Sequence, residues 1–369
     1  MVDVAATSDW GTVLDEARRV AADIGGLLGV DVDADTILAG RARILNLGKP
    51  GRISAGGATR LLPSADGWCA MALPRDDDIA ALPALMEVDA ITDDPWDVLS
   101  LWAAGHSSAE VIARAQLLDL AAAALGETAA GEPTVRPHGA RGKPRPAAGL
   151  LVADLSSLWA GPLCGQLLSR AGAVVIKVES PTRPDGTRRG EPAFFDWMNT
   201  GKLSYAVDFD TEADSLRRLL SVVDIVIEGS RPAGLQRRRL SADDLPGLPG
   251  RIWLRINGYH NQPGRPAFGD DAAVAGGLVG HGPVFLGDAI ADPLSGLEAV
   301  RAIAESLARG GGEVIDVAMA RVAARYAALP ESPDAPATAE RPDPAPASAL
   351  GADNAAVERL VTGRLGAPC

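Results

Sequence analysis

Cysteine is scarce. The chain has three, Cys69, Cys164 and Cys369, far apart and without CxxC spacing. That excludes a disulfide framework and a cysteine zinc site, and it fits a reducing cytoplasm. Histidine is nearly as scarce: His106, His138, His260 and His281 stand alone, and no two have metal-ligand spacing. We therefore expect no bound metal. Aromatic residues make up 4%, so Ala, Val and Leu must do most of the packing in the core. Positive charge is also short. A net charge of −13 argues against a nucleic-acid partner and against docking on anionic membranes. It does not exclude a polyphosphate ligand held by a local cluster of basic side chains. Met1 to Trp10 carries acids and no apolar core, and no run approaches the roughly 18 apolar residues of a membrane span. The expected location is the cytoplasm.

What is present suits a globular protein of two domains: 369 residues, of which 47% are hydrophobic. Residues 9–30 place Trp10, Val13, Leu14, Ala17, Val20 and Ile24 at helical spacing. Between Leu61 and Leu73, apolar runs flank Ala65-Asp66-Gly67-Trp68, a hairpin signal. Helices are predicted over 77–92 and 107–125, the second capped by Ser107 or Ser108. Residues 127–148 are rich in Pro, Gly and Arg and read as a linker. Short apolar runs then alternate with helical patterns: 149–155, 173–178, 204–207, 224–227, 251–256 and 313–317. This alternation predicts an α/β domain with a mostly parallel sheet. Helices are predicted over 292–309 and from the last strand to about 328. Residues 329–349 form a Pro/Ala-rich, extended linker, and 354–365 a short docking helix.

The usual α/β signatures are missing. The turn Asp154 to Gly161 lacks GxGxxG, and no GxxxxGK[ST] or GxSxG occurs. Other motifs carry a likeness. They run in order: Asp154-Leu155-Ser156, Ala160-Gly161-Pro162, Gly165-Gln166-Leu167-Leu168, the stretch Ala171 to Glu179, and Gly186-Thr187-Arg188. Next come Asn199-Thr200-Gly201-Lys202-Leu203-Ser204, Val207-Asp208-Phe209, Ile227-Glu228 with Arg231-Pro232, and Ile256-Asn257-Gly258-Tyr259. The series closes with Ala291-Asp292, Ser295-Gly296-Leu297 and Val314-Ile315-Asp316-Val317. From residue 149 onwards the chain resembles family III CoA-transferases, the group that includes formyl-CoA and carnitine CoA-transferases and α-methylacyl-CoA racemases. Ile53 to Arg60 followed by Ala65-Asp66-Gly67-Trp68 resembles the start of that family's small domain, here ahead of the sheet domain rather than behind it. Leu350-Gly351-Ala352-Asp353-Asn354 resembles the usual C-terminal motif.

The resemblance implies a large Rossmann-like domain with a mostly parallel sheet and a smaller α+β domain. The expected organisation is a small domain over 1–126, a linker over 127–148, a CoA-binding domain over 149–328, a linker over 329–349 and a tail over 350–369. It implies transfer of coenzyme A between an acyl-CoA and a carboxylic acid, through an aspartyl anhydride and an aspartyl-CoA thioester at Asp292. Local sequence alone reads Asp292 before Pro293 as a helix N-cap, a role that can coexist with nucleophilic attack. Gly56 and Gly57 match the glycine loop that covers the carboxylate, two glycines where some members have four. Coenzyme A would be held by the segment Leu158, Trp159 and Ala160 and by Lys177, Arg188, Lys202, Arg231 and Arg237. Ser180 stands where some members place a CoA-binding arginine. The implied assembly is a homodimer, interlocked in ordinary members. Two alternatives stay open: proton exchange of the racemase type, although Phe268 occupies the histidine position, and a degenerate CoA-binding partner subunit.

Overall fold

The computed structural model describes residues 9–229, 233–330 and 338–366. The chain opens with α1 (Trp10–Leu28) and α2 (Ala34–Leu45). A small sheet with helices follows: β1 (Thr59–Ser64), β2 (Gly67–Ala72), α3 (Asp76–Ala80), α4 (Leu82–Met86), α5 (Pro95–Ala104), α6 (Ser108–Leu117) and β3 (Ala121–Ala124). The large sheet takes β4 (Thr134–Pro137), β5 (Leu151–Asp154), β6 (Val174–Glu179), β7 (Leu203–Ala206), β8 (Ile225–Glu228), β9 (Ile252–Asn257) and β12 (Glu313–Ala318), with the hairpin β10 (Val279–Gly280) and β11 (Val284–Phe285) before the last. Its helices are α7 (Ala160–Arg170), α8 (Pro192–Asn199), α9 (Ala213–Leu220), α10 (Ala233–Gln236), α11 (Gly269–Ala275), α12 (Ala291–Arg309) and α13 (Met319–Ala327). The chain closes with α14 (Asn354–Gly366).

The seven strands lie in the order β4-β12-β9-β8-β5-β6-β7, all parallel except β4, which runs antiparallel to β12. Counted from β5, the parallel strands follow the order 3-2-1-4-5-6 of a doubly wound sheet, so the chain reverses direction between β5 and β8. Alternation sends successive side chains to opposite faces. Val152, Val175, Ile225, Leu254 and Ile315 pack with α1, α2, α7, α12 and α13. Leu151, Ile176, Val226, Trp253 and Val314 pack with α9 and with Val357 and Val361 of α14.

The expected strands of the large sheet all form. The other expectations differ in instructive ways. Residues 10–45 pack on the large sheet, because the apolar stripe Val13, Leu14, Ala17, Val20 and Ile24 is completed by α12 and not by the small sheet. Residues 127–148, read as a linker, contain the edge strand β4, with Thr134 to Pro137 registered against Asp316 to Glu313. The predicted helix 77–92 is two short helices, and α5 was not foreseen. The helix begun by Ser107, which caps it through Glu110 N–H, stops at Leu117. Asp119 then takes φ 59°, and Ala121–Ala124 pairs with β2 as a strand. Four alanines favour helix intrinsically, but their small side chains let the sheet approach Ala275 and Ala320 closely, and packing wins. Residues 338–349 are extended and pinned: Thr338 donates to Asp35, and Ala347 N–H donates to Asp196. Among the described residues no helix is long and apolar enough to cross a membrane.

One face of the small sheet buries Leu62, Cys69 and Met71 under α4 to α6. The other sets Leu61 and Ala70 against Val274, Val279 and Phe285. This second contact brings the loop before β1 to the N-terminus of α11.

Candidate active site

Asp292 lies in the first turn of α12, with Ile290 as the N-cap. The cap assignment is therefore corrected by two residues: Asp292 is the second residue of the helix, and its side chain faces neighbouring elements instead of closing its own turn. The N–H of Ala160, at the start of α7, donates to the Asp292 carboxylate. Two helix N-termini thus meet at one carboxylate, which favours its charged form. The close approach of α7 and α12 depends on Gly296. A Cβ there would lie 2.9 Å from the Ala160 carbonyl oxygen and 2.7 Å from Leu163.

Three further aspartates surround the site. Asp270 accepts from Thr59 Oγ1 at 3.2 Å and from Ala289 N–H at 3.0 Å. Asp271 is fully buried and accepts from Phe268 N–H at 2.7 Å. Asp288 pairs with Arg41 of α2 at 2.5 Å. The Arg41 guanidinium lies 5.6 Å from the Trp159 ring centre and 5.3 Å from that of Phe194. Gly57, at φ 80°, turns the loop so that its N–H reaches Ser54 O, and Ser54 Oγ accepts from Thr59 N–H. Gly56 is exposed, and a Cβ on it would sit 3.9 Å from Arg41 Nη2. The glycine loop, Arg41, the α11 aspartates and Asp292 therefore come together from one chain, although the loop and Asp292 lie far apart in sequence.

Burial dominates the electrostatics. It pushes Asp292 up to about 7, opposed by Arg41 and Ala160 N–H and assisted by Asp270 and Asp288. Burial likewise raises Asp270 to about 6 and Asp271 to about 8. Asp292 retains some exposed surface while Asp271 has none, so of these two only Asp292 can meet a substrate. Cys69 and Cys164 are buried, and burial pushes the Cys69 thiol up to about 12 and Cys164 upward as well. Neither is a usable nucleophile. Among the described residues no group of three or more His, Cys, Asp or Glu side chains is arranged to hold a metal ion.

Gly269 makes room for the carboxylate. A Cβ at this position would collide with Asp292 Oδ2 and with the Ala289 carbonyl. Gly269→Ala is expected to cost about 1–3 kcal/mol through overpacking and to displace Asp292. A urea midpoint and the pH titration of the Asp292 carboxyl measure the two effects.

The residues expected to grip coenzyme A divide. Lys177 is buried, donating to Asp185 at 2.8 Å and to Ser156 O at 2.5 Å. Lys202 is buried against Asp154 at 2.8 Å, Pro162 O and Asn199 Oδ1. Their ammonium groups are consumed inside the protein, which corrects their assignment as phosphate ligands. Arg188 is paired with Glu179 at 2.6 Å and lies over the Phe195 ring. Trp159 is 2% exposed, lying under Arg41 and against Phe194 rather than lining an open adenine pocket. Leu158 is 40% exposed at φ 71°. Arg237 is exposed directly after α10. Arg231 lies outside the described residues. Sequence reasoning missed Arg41 and Asp288, which no motif marks.

The profile of CoA-transferase family III matches residues 148–357. This chain belongs to CoA-transferase family III. A succinyl-CoA–D-citramalate CoA-transferase of Chloroflexus aurantiacus is 32% identical over 201 residues, covering 47% of this chain and 49% of that protein. A succinate–glutarate CoA-transferase of Agrobacterium fabrum is 31% identical over 203 residues, covering 47% of this chain and 51% of that protein. A crystal structure of a CaiB/BaiF family protein from Brucella suis aligns with a TM-score of 0.44 at 30% identity, over 50% of this chain and 56% of that one. The chain spans about half the length of the curated relatives it matches. The family match begins beyond the glycine loop, Arg41 and the whole small sheet, so those parts of this family III chain stand on its own structure.

Proposed function

We propose that the chain transfers coenzyme A between an acyl-CoA thioester and a carboxylic acid, with Asp292 as the covalent nucleophile. The observation that carries this reading is the setting of Asp292: a reachable carboxylate between two helix N-termini, faced by a glycine loop and an arginine. Its oxygen attacks the thioester carbonyl, forming a mixed anhydride and releasing the CoA thiolate. The thiolate attacks the Asp292 carbonyl of that anhydride, leaving Asp292 as a CoA thioester and freeing the first acid. An incoming acid reverses the sequence. Gly57 N–H is held by Ser54 O, which fixes the loop and makes the exposed Gly56 N–H its donor toward the oxyanion of each tetrahedral step. Coenzyme A would enter at the switch point between β5 and β8, where ligands of doubly wound sheets bind, along Leu158 and Arg237. The glycine loop comes from the same chain, so closing the site does not depend on a second subunit, whether the protein is a monomer or a homodimer. One of the relatives described above is named for succinyl-CoA and D-citramalate, the other for succinate and glutarate, which makes succinate and glutarate the first acids to try.

The test is incubation with succinyl-CoA, trapping with hydroxylamine or borohydride, and mapping of the adduct by mass spectrometry. An adduct at Asp292 is expected. Cα deuterium exchange in a branched acyl-CoA without any adduct would replace transfer by the racemase reading, and failure to bind CoA together with no adduct would leave a degenerate subunit.

A further inference from the structure

Arg41 reaches the site from α2, outside the stretch that defines the family. Its surroundings are built. Asp288, 4% exposed, holds Nη1 at 2.5 Å, and the rings of Trp159 and Phe194 flank the guanidinium. Nε and Nη2 make no hydrogen bond among the described residues, and the side chain keeps 23% of its surface. The free edge faces Gly56, where an added Cβ would lie in ordinary contact with Nη2 at 3.9 Å. Asp292 feels the Arg41 charge more strongly than that of any other side chain. A planar fork of donors, anchored at one end and open at the other beside the nucleophile, matches a carboxylate.

We propose that Arg41 is the residue that binds the reacting carboxylate of the acid substrate, with Asp288 as its positioning residue. This rests on the transfer reading. In the acid half-reaction the bound carboxylate oxygen attacks the carbonyl carbon of the Asp292–CoA thioester. A C–O bond forms, the C–S bond breaks, and the thiolate leaves with the electron pair. One negative charge is consumed and one released, and Arg41 remains protonated throughout. Its charge holds the acid next to Asp292, which at this stage is a neutral CoA thioester and no longer repels it.

The test uses the full chain with Arg41→Gln and Arg41→Lys. At pH 8.5, Arg41→Gln is expected to raise the KM for succinate or glutarate roughly tenfold to hundredfold, the span of one hydrogen bond to a charged group. The KM for the acyl-CoA should change little, and Arg41→Lys should recover part of the loss. The acidic limb of the pH profile should also move upward, since Arg41 is the cation opposing Asp270 and Asp288 around Asp292. Calorimetric titration of Asp292→Asn with the same acids reads binding without turnover, and adding Arg41→Gln should abolish it. An unchanged acid KM in the folded fraction, or acid binding that survives Arg41→Gln, overturns the proposal. Absence of an Asp292 adduct in the parent protein overturns the transfer reading instead, and the calorimetry still decides whether Arg41 binds acids.

Discussion

Asp292→Asn is expected to lower CoA transfer roughly 10⁴-fold or more, the scale on which removal of a covalent nucleophile acts, and to abolish the trapped adduct. The substitution keeps the shape and can still accept the Ala160 N–H, so the loss is chemical. The pH dependence has a definite sign. Attack requires the ionised carboxylate, and burial sets Asp292 at about 7. Turnover of the parent protein should therefore fall about tenfold per pH unit below about pH 7 and level off above it. The raised value predicts an opposite effect on stability. It stands above the ordinary 3.8, so the neutral acid contributes stability that is present at low pH and lost as pH rises through about 7. Asp292→Asn has no such loss. Its melting temperature should match the parent near pH 4 and exceed it at pH 8 to 9. The gap is set by about 1.4 kcal/mol for each tenfold difference in acidity between the folded and unfolded carboxyl. Asp271 titrates in an overlapping range in both proteins, whereas Asp270 repels Asp292 and is relieved of that repulsion in the variant, so the gap reports Asp292 together with this coupling. A variant less stable than the parent at pH 9 would mean that the carboxylate serves the fold and not the chemistry.

Most of the parallel strands were legible because they are short runs of apolar side chains buried on both faces, a pattern that sequence alone displays. Asp292 was legible through the motif around it, and Gly296 in that motif now has a physical reason in the contact between α7 and α12. Arg41 and Asp288 were not legible. Each is one charged residue among many, and the pairing spans 247 positions that only the fold closes. The alanine strand Ala121–Ala124 was hidden for the opposite reason: its composition favours helix, and only the approach to α11 makes smallness matter more. Lys177 and Lys202 show a third kind of failure. A lysine in a resembling motif reads as a phosphate ligand, yet the aspartates that consume these two lie outside the motif itself: Asp154 stands 48 positions before Lys202.

Lys202 gives the sharpest test of that correction. Its three donors meet three acceptors: Asp154 Oδ2 at 2.8 Å, Pro162 O at 2.8 Å and Asn199 Oδ1 at 3.1 Å. Gly165 is required alongside, since a Cβ there would lie 2.9 Å from Asp154 Oδ2 and 3.0 Å from Lys202 Nζ. Burial alone would push Asp154 up, but Lys202 and Lys177 together bring it below its ordinary value. Lys202→Met removes one partner and leaves a buried carboxylate with Ser156 and a more distant Lys177. The expected cost is about 3–5 kcal/mol, typical of breaking a buried pair from one side, read as a lower urea midpoint with unchanged slope. The sign with pH follows from Asp154. In the parent its depressed value contributes stability above about pH 4, lost as pH falls through the lower folded-state value. In Lys202→Met burial is left to raise the Asp154 carboxyl, so the gap between the two proteins should widen as pH rises above about pH 4. Adding Asp154→Leu should recover part of the loss, because it removes the orphaned charge. Coenzyme A affinity of the folded fraction should stay within about threefold of the parent, since a buried ammonium has no donor left for a phosphate. A stable Lys202→Met protein with CoA affinity reduced about tenfold would restore the phosphate role and refute the structural one.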